Sequence, residues 1–385
     1  MREGICYMLD LTGIPVVDNH CHPVLLEQPK EVLQYRAYFT EASDPAFARQ
    51  HVANSAHYLW LLRQLAVFFS CASKSDESEV LAARNQLDTD TLIERLYRAA
   101  CFDTLILDIA HPLPEICYSP ERMGQLGHCR AVRMLRLETL MQDLVVKTRD
   151  FDEMVQLYSQ ALTDLRARGY IALKSIVAYR TGLNIARWTQ DEVVASFSEA
   201  RATIHDGKLR IKHKPLIDHL LHIAFLHAAE QELPIQFHTG YGDKDIDMRL
   251  GNPLHLREVL EDSTYEGMRV VLLHESYPYV QLGAYLAAVY PQVYFDLSYT
   301  IPFVDRLEML AFTRQALGIA PASKLMYSSD GIYLPEMHWA ATLRGRSIIA
   351  QVLGEMVEND EFDEEQAYLL ARQILHDTAY AVYRL

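Results

Sequence analysis

Two histidines, one residue apart at the end of an apolar run, are the residues of this chain best suited to chemistry. They are His20 and His22 in VVDNHCHP, residues 16–23. Because successive side chains of a strand point to opposite faces, both imidazoles leave on the same side and can bind one ion. Imidazole is a common ligand of zinc and similar metals. Alone the motif is weak evidence, since two hydrogen-bonded loop histidines would look the same.

Short β-like runs recur along the chain, and helical patterns follow them. No Gly-x-Gly-x-x-Gly follows the first run, and the order shows no reversal. The pattern predicts an α/β protein with a closed parallel (β/α)8 TIM barrel. The predicted strands are residues 15–19, 103–109, 130–137, 170–177, 234–238, 269–274, 293–297 and 324–329.

A long segment separates the first predicted strand from the second. Residues 25–98 have apolar residues at helical spacing in AHYLWLLRQLAVFF and in DTLIERLYRAA. This is far longer than an ordinary βα loop. It predicts an inserted helical cap, approximately residues 25–98, within a single domain of residues 1–385. A final amphipathic helix is expected over residues 363–385.

Further ligand-type residues stand where other predicted strands end. Lys174 lies on the fourth strand, His238 ends the fifth, His274 ends the sixth, and Asp330 follows the eighth. Catalytic side chains of TIM barrels lie at the C-terminal ends of the strands, so these residues can converge with the histidine pair. The apolar neighbours of Lys174 indicate burial, where an unpaired ammonium is costly.

Composition limits the partners. The net charge is −15, with acids spread along the chain, so a nucleic acid backbone or an anionic membrane surface would be repelled. The six cysteines form no CxxC pair, which fits a reducing cytoplasm. The start, MREGICYML, lacks the apolar core of a signal peptide, and no apolar run is long enough to span a bilayer. We expect a soluble, cytoplasmic protein with no nucleic-acid or membrane partner.

The order HxH, Lys, His, His, Asp resembles the amidohydrolase superfamily of metal-dependent hydrolases. Longer phrases resemble the amidohydrolase-like domain that is fused to a glutamine-synthetase-like domain in fungal developmental and plant nodulin-type proteins. The resemblance covers nearly the whole chain and is clearest over residues 170–331; we expect a free-standing form of that domain. The phrases are LKSIVAYRTGL, PIQFHTGYGDKDIDMRLGNP, VLLHESYPYVQLGAYLAAVYPQVYFDLS and KLMYSSDG.

The resemblance implies that His20, His22 and Asp330 bind a buried metal, which we expect to be zinc. His238 and His274 would bind a second ion or complete the first site. Lys174 is the position where many members carry a carbamate that bridges two ions. Cations drive a lysine to its neutral amine, which can take up carbon dioxide. One ion with unmodified lysine and two ions with carboxylated lysine both remain open, and two are favoured.

The ligands imply a mechanism. Zinc lowers the pKa of bound water from about 15.7 to near 7, so hydroxide forms at neutral pH and attacks a polarised carbonyl. Asp330 would take the proton of the water and deliver it to the departing nitrogen. His274 is the second catalytic candidate. The expected activity is hydrolysis of a C–N bond, an amide or a γ-glutamyl-type isopeptide, in a small carboxylate-bearing substrate.

Polar residues near the predicted strand ends are candidates for substrate binding. Arg180 or Arg249 could hold a carboxylate, because the guanidinium presents a planar fork of donors, and Asp247 could hold an ammonium group. An ion-paired loop network explains the same residues equally well. The full set is Tyr179, Arg180, Asp247, Arg249, Glu275 and Tyr277.

Two other functions stay open. Related barrels decarboxylate unsaturated acids with one metal, so lyase chemistry is the first alternative. The second is a non-catalytic barrel that serves as a binding or scaffolding subunit, and it is disfavoured because every ligand position is kept. The sequence also leaves open whether the chain forms a homo-oligomer.

Overall fold

The computed structural model describes residues 8–385 and contains one sheet of eight parallel strands in chain order. The expectation about the start of the chain falls largely on residues 1–7, which lie outside the described residues. The strands are β1 (Val16–Cys21), β2 (Phe102–Asp108), β3 (Arg130–Arg136), β4 (Tyr170–Ser175), β5 (Ile235–Phe237), β6 (Val270–Leu272), β7 (Val293–Ser298) and β8 (Leu325–Ser328).

The first and last strands of the sheet are also neighbours. The backbone N–H of Asp330 donates to the carbonyl of His20 at 3.0 Å, just beyond β8. Sheet order together with this contact confirms the predicted TIM-barrel fold, and each predicted run overlaps a strand. The middle strands pair without shift from β4 to β7, so that Leu173, Ile235, Val270 and Val293 form one buried row.

Helices occupy the connections between strands. Five of them lie between β1 and β2, in the segment where the cap is predicted. The helices of the described residues are α1 (Val32–Arg36), α2 (Pro45–Gln50), α3 (Ala56–Phe68), α4 (Glu77–Arg84), α5 (Thr89–Ala100), α6 (Pro120–Gly127), α7 (Leu137–Lys147), α8 (Phe151–Ala161), α9 (Gln190–Ala202), α10 (Lys214–Glu230), α11 (Arg257–Glu261), α12 (Val280–Val289), α13 (Arg306–Ile319), α14 (Pro335–Glu358), α15 (Glu364–Arg372) and α16 (Thr378–Tyr383).

The chain divides into two compact units. The first consists of the described residues up to 131, residues 242–244 and residues 297–380. In this unit α5 packs against α6 and α14. Aspartate side chains begin several of its helices; Asp88, for example, accepts from the N–H of Thr91 at the start of α5. A fully buried ion pair between Arg84 of α4 and Glu336 of α14 connects the helical segment α1–α5 to the rest of this unit.

The second unit consists of residues 132–241, 245–296 and 381–385. Its long helix α10 packs against α7, α8 and α9. Buried Ile217, Leu221, Ala224 and Ala228 lie on α10, at the i, i+4, i+7 and i+11 spacing that places side chains on one helix face. A capping box between Thr189 and Glu192 begins α9.

The predicted terminal helix over residues 363–385 is interrupted. The structure has α15, then a π-helical turn over Gln373–Asp377, then α16. Ile374 and Leu375 in this turn are fully buried, and the turn packs against β1 and β8. Such wide turns are short interruptions that regular helical periodicity does not reveal.

Among the helices of residues 8–385, none combines the length and the apolar character needed to cross a membrane. The cysteines in the same part of the chain are free thiols.

The Arg84–Glu336 pair gives a stability prediction. Glu336→Ala leaves a guanidinium buried without its charge partner, so the free energy of unfolding should fall by about 3–5 kcal/mol. Glu94→Ala is the matched control, because Glu94 pairs with Arg98 on the surface of α5 and should cost less than about 1 kcal/mol. Urea denaturation measures both, and equal losses would contradict the prediction.

Candidate metal centre

Side chains of β1 fix the position of β8 beside it. The Asp18 carboxylate accepts from the backbone N–H of Ser329 at 2.8 Å. The Asn19 side chain donates to the carbonyl of Tyr327 at 2.9 Å. All of β1 is buried, so these bonds form away from water, where a missing partner would be costly. They align the C-terminal ends of β1 and β8.

His20, His22 and Asp330 converge at these two strand ends. The Nε2 atoms of His20 and His22 lie 3.4 Å and 3.5 Å from the same oxygen, Oδ1 of Asp330. The two histidine residues are 1% and 7% exposed. Asp330 adopts a left-handed backbone conformation with φ 47°, which is strained for a residue with a side chain and typical of functional positions. Two imidazole nitrogens and one carboxylate oxygen are ligands that zinc accepts, so these residues fit a metal.

The tautomer of a neutral His22 ring is determined by the hydrogen bonds of its Nδ1 atom. Nδ1 lies 2.7 Å from the carbonyl oxygen of His111 and 3.2 Å from that of Asp108. A carbonyl only accepts, so the proton of a neutral His22 ring lies on Nδ1 and the lone pair lies on Nε2. Histidines that bind a metal through one ring nitrogen typically donate a hydrogen bond from the other, which orients the ring.

In the second unit, His238 and His274 lie side by side. Their ring centroids are 4.4 Å apart, and Tyr179 packs 4.4 Å from the ring of His238. Nε2 of His238 lies 2.8 Å from the carbonyl oxygen of Tyr241. The proton of a neutral His238 ring therefore lies on Nε2, which leaves the lone pair on Nδ1.

His274 begins a strained turn after β6. His274, Glu275 and Ser276 all have positive φ angles, of 61°, 48° and 49°. The backbone N–H of His274 donates to the buried carboxylate of Asp296 at 3.0 Å. Three consecutive residues in the left-handed region cost energy, and surrounding structure must hold them.

Gly240 allows the loops after β5 and β6 to touch. Its φ is +69°, and a Cβ at this position would lie 2.3 Å from the carbonyl oxygen of Tyr277. The neighbouring N–H of Tyr241 donates to the same oxygen at 2.7 Å. Only glycine fits here, and the contact fixes the loop that carries the hydrogen-bond partner of His238.

Lys174 is buried, as predicted, with 2% of its surface exposed. It pairs in register with Arg136 of β3 and Gln236 of β5. His238 lies two residues beyond Gln236 and therefore belongs to the same side of the sheet as Lys174.

The substrate-binding candidates occupy different environments. Arg249 is 87% exposed in its side chain and donates two hydrogen bonds to Asp247, at 2.9 Å and 2.7 Å. These two residues match the ion-paired loop that the sequence left open. Glu275 is fully buried, whereas Tyr277 is half-buried. Arg180 is half-buried after β4, next to Tyr179.

Glu41 is a residue of this region that the sequence did not single out. It lies between α1 and α2, and its pKa rises from 4.5 to about 7 because of burial and the negative charges of Asp330 and Asp243. In the sequence, Glu41 lies in YFTEASDP, where nothing distinguishes it from an ordinary polar loop residue. Its proximity to Asp330 depends on how the helical segment folds back, which local sequence does not reveal.

Comparisons with known proteins agree with this geometry. Residues 217–385 match the family model described as amidohydrolase. The chain is 30% identical to Protein fluG of Emericella nidulans, over 96% of this chain and 46% of that protein. The chain thus spans about half the length of this curated relative.

Solved structures extend the similarity to the whole chain. A proposed metal-dependent hydrolase from Lactobacillus casei ATCC 334 is 29% identical, with a TM-score of 0.85 and 98% of each chain covered. Uronate isomerase from Thermotoga maritima is 12% identical, with a TM-score of 0.64 over 97% of this chain and 95% of that one. The isomerase shows a shared fold alone. The predicted resemblance to amidohydrolases is confirmed, and the fold is that of an amidohydrolase-like barrel.

Glu41 gives a pH prediction. Because its pKa is raised on folding, its contribution to stability is fully present below about pH 4.5 and is lost as the pH rises through about 7. Glu41→Gln cannot ionise, so at about pH 8 the metal-free variant should exceed wild type by on the order of 1–3 kcal/mol. The difference should shrink near pH 5. Urea denaturation at both pH values checks this, with the exposed Glu27→Gln as control; a gap that does not vary with pH refutes it.

Proposed function

We propose that this chain is a metal-dependent hydrolase that cleaves a C–N bond in a small carboxylate-bearing molecule. The specific proposal is an amide or a γ-glutamyl-type isopeptide. The observation that carries it is the approach of two buried imidazole nitrogens, from His20 and His22, to one oxygen of Asp330. The similarity to amidohydrolases supports the same conclusion.

His20, His22 and Asp330 would hold the metal, which we propose is zinc. We propose that His238, His274 and Lys174 serve the same centre, either by completing the site or by binding a second ion. Strands of one parallel sheet direct their C-terminal ends to the same side, which favours a shared centre. When bound, the metal would lower the pKa of a water molecule to about 7 and polarise the scissile carbonyl.

Residues of the chain would supply orientation and proton transfer. Asp330 takes the proton of the attacking water and delivers it to the departing nitrogen, as one carboxylate acting first as base and then as acid. The carbonyl groups of His111 and Asp108 keep the lone pair of His22 on Nε2, directed to Asp330. His274 is the second residue proposed to act in catalysis, held by the bond from its N–H to Asp296.

Metal content tests the site directly. Wild-type protein grown with zinc and passed through gel filtration should retain one or two ions per chain by elemental analysis, and His20→Ala/His22→Ala should lose most of them. His205→Ala is the control, because His205 lies on the surface. Equal metal in all three proteins would contradict the proposal. One ion with unmodified Lys174, measured by native mass spectrometry, would favour the lyase alternative over the hydrolase.

Asp330→Asn separates binding from turnover. The amide keeps an oxygen but cannot act as a base, so most of the metal should remain while kcat falls about 10²–10⁴-fold. Activity is measured on γ-glutamyl amides and N-acyl amino acids with zinc-loaded protein. The exposed Asp206→Asn serves as control. Wild-type turnover in the Asp330 variant would remove the proposed role of this carboxylate.

A further inference from the structure

Basic side chains lie at the C-terminal ends of β3 and β4 in the second unit. Arg136 is the last residue of β3 and pairs in register with Lys174. Paired residues of adjacent parallel strands direct their side chains to the same face of the sheet. The half-buried guanidinium of Arg136 therefore leaves on the same side as the buried amine of Lys174.

Arg180 follows β4 after a short helical turn over Val177–Tyr179. Its Nε is buried and has no hydrogen-bond partner among the described residues, and its Nη1 donates to the Tyr179 carbonyl at a long distance of 3.5 Å. A buried donor without an acceptor is costly, so the Nε of Arg180 calls for an explanation, and a bound acceptor would provide one.

The charges around Arg180 do not balance. Burial lowers the pKa of Arg180, and repulsion from Arg210 and Arg136 lowers it further. The attraction of Glu138 and Asp245 raises the pKa by less than these two arginines lower it. Asp245 is hydrogen-bonded to Arg210 at 2.7 Å. Glu138 is fully buried, which raises its pKa and weakens its ability to neutralise a neighbour. The surroundings of Arg180 would thus be stabilised by an added anion.

We propose that Arg180 and Arg136 together bind a carboxylate group of the substrate at the ends of β3 and β4. This inference rests on the proposed function and assigns the carboxylate recognition that it requires. Two planar guanidinium groups can donate paired hydrogen bonds to the two oxygens of a carboxylate. Arg249 does not take this role, because Asp247 already accepts from two of its nitrogens at the surface.

Calorimetric binding to the zinc-loaded full chain tests the inference. The probes are glutarate and its neutral diamide, glutaramide. Arg180→Gln and Arg136→Gln should each weaken glutarate binding by about tenfold or more and change glutaramide binding little, because only the acid uses charged hydrogen bonds. Arg180→Lys keeps the charge without the fork and should lie between wild type and Arg180→Gln.

Two controls complete the experiment. Arg257→Gln removes a surface arginine that pairs with Glu261 in the same unit and should leave both affinities unchanged. Thermal melting by circular dichroism verifies that each variant is folded. Undiminished glutarate binding in Arg180→Gln, loss of glutarate binding in Arg249→Gln, or a wild-type chain that does not bind glutarate overturns the inference.

The binding readout separates this inference from the proposed function. Glutarate binding that depends on Arg180 and Arg136, in a chain that cleaves none of the tested C–N bonds, would uphold the carboxylate subsite and refute the hydrolase. Hydrolysis whose kcat/KM ratio between acidic and neutral substrates is unchanged in Arg180→Gln would do the reverse.

Discussion

The pairing between β1 and β8 is the constraint on which the candidate metal centre depends. Asp18 and Asn19 bond to the backbone of β8, and the N–H of Asp330 bonds to the carbonyl of His20. Side chains alternate along a strand, so a shift of one residue would turn His20 away from Asp330. The polar residues of the VVDNHCHP motif thus have two functions: Asp18 and Asn19 set the register, and His20 and His22 approach Asp330.

Hydrogen bonds to backbone carbonyls determine which nitrogen each histidine presents. His22 uses Nδ1 for this bond and His238 uses Nε2, so the neutral rings present opposite nitrogens. The accepting carbonyls are those of His111 and Tyr241, and both residues lie in loops that follow strands. The identity of those loop residues matters less than the path of their backbone, and Gly240 shows how tightly that path is specified.

Sequence predicted what depends on local pattern and missed what depends on distant contacts. The strands are visible in the sequence as short apolar runs. Once the fold class and the strand order are inferred, the strand ends point to His20, Lys174 and Asp330 as candidate site residues. Glu41 could not be found, since its raised pKa arises from its burial and from two acids, Asp330 and Asp243, that lie some 200 to 290 positions away along the chain. Arg136 was overlooked for a different reason: its register with Lys174 is a property of the sheet rather than of β3.

The helical segment is connected to Asp330 through a chain of polar contacts. Arg84, which pairs with Glu336, also donates to the side-chain oxygen of Gln28 at 2.6 Å. Gln28 in turn donates to the carbonyl of Tyr333 at 3.1 Å, three residues beyond Asp330. The segment from Asp330 to Glu336 is therefore held from the helical side as well as from β1. Asp330 itself is strained, with φ 47°, so surrounding structure must hold it, and the bonds at both ends contribute to this. Helix α4 is thus linked to Asp330 by hydrogen bonds from Arg84 to Gln28 and from Gln28 to Tyr333, and from there along the backbone.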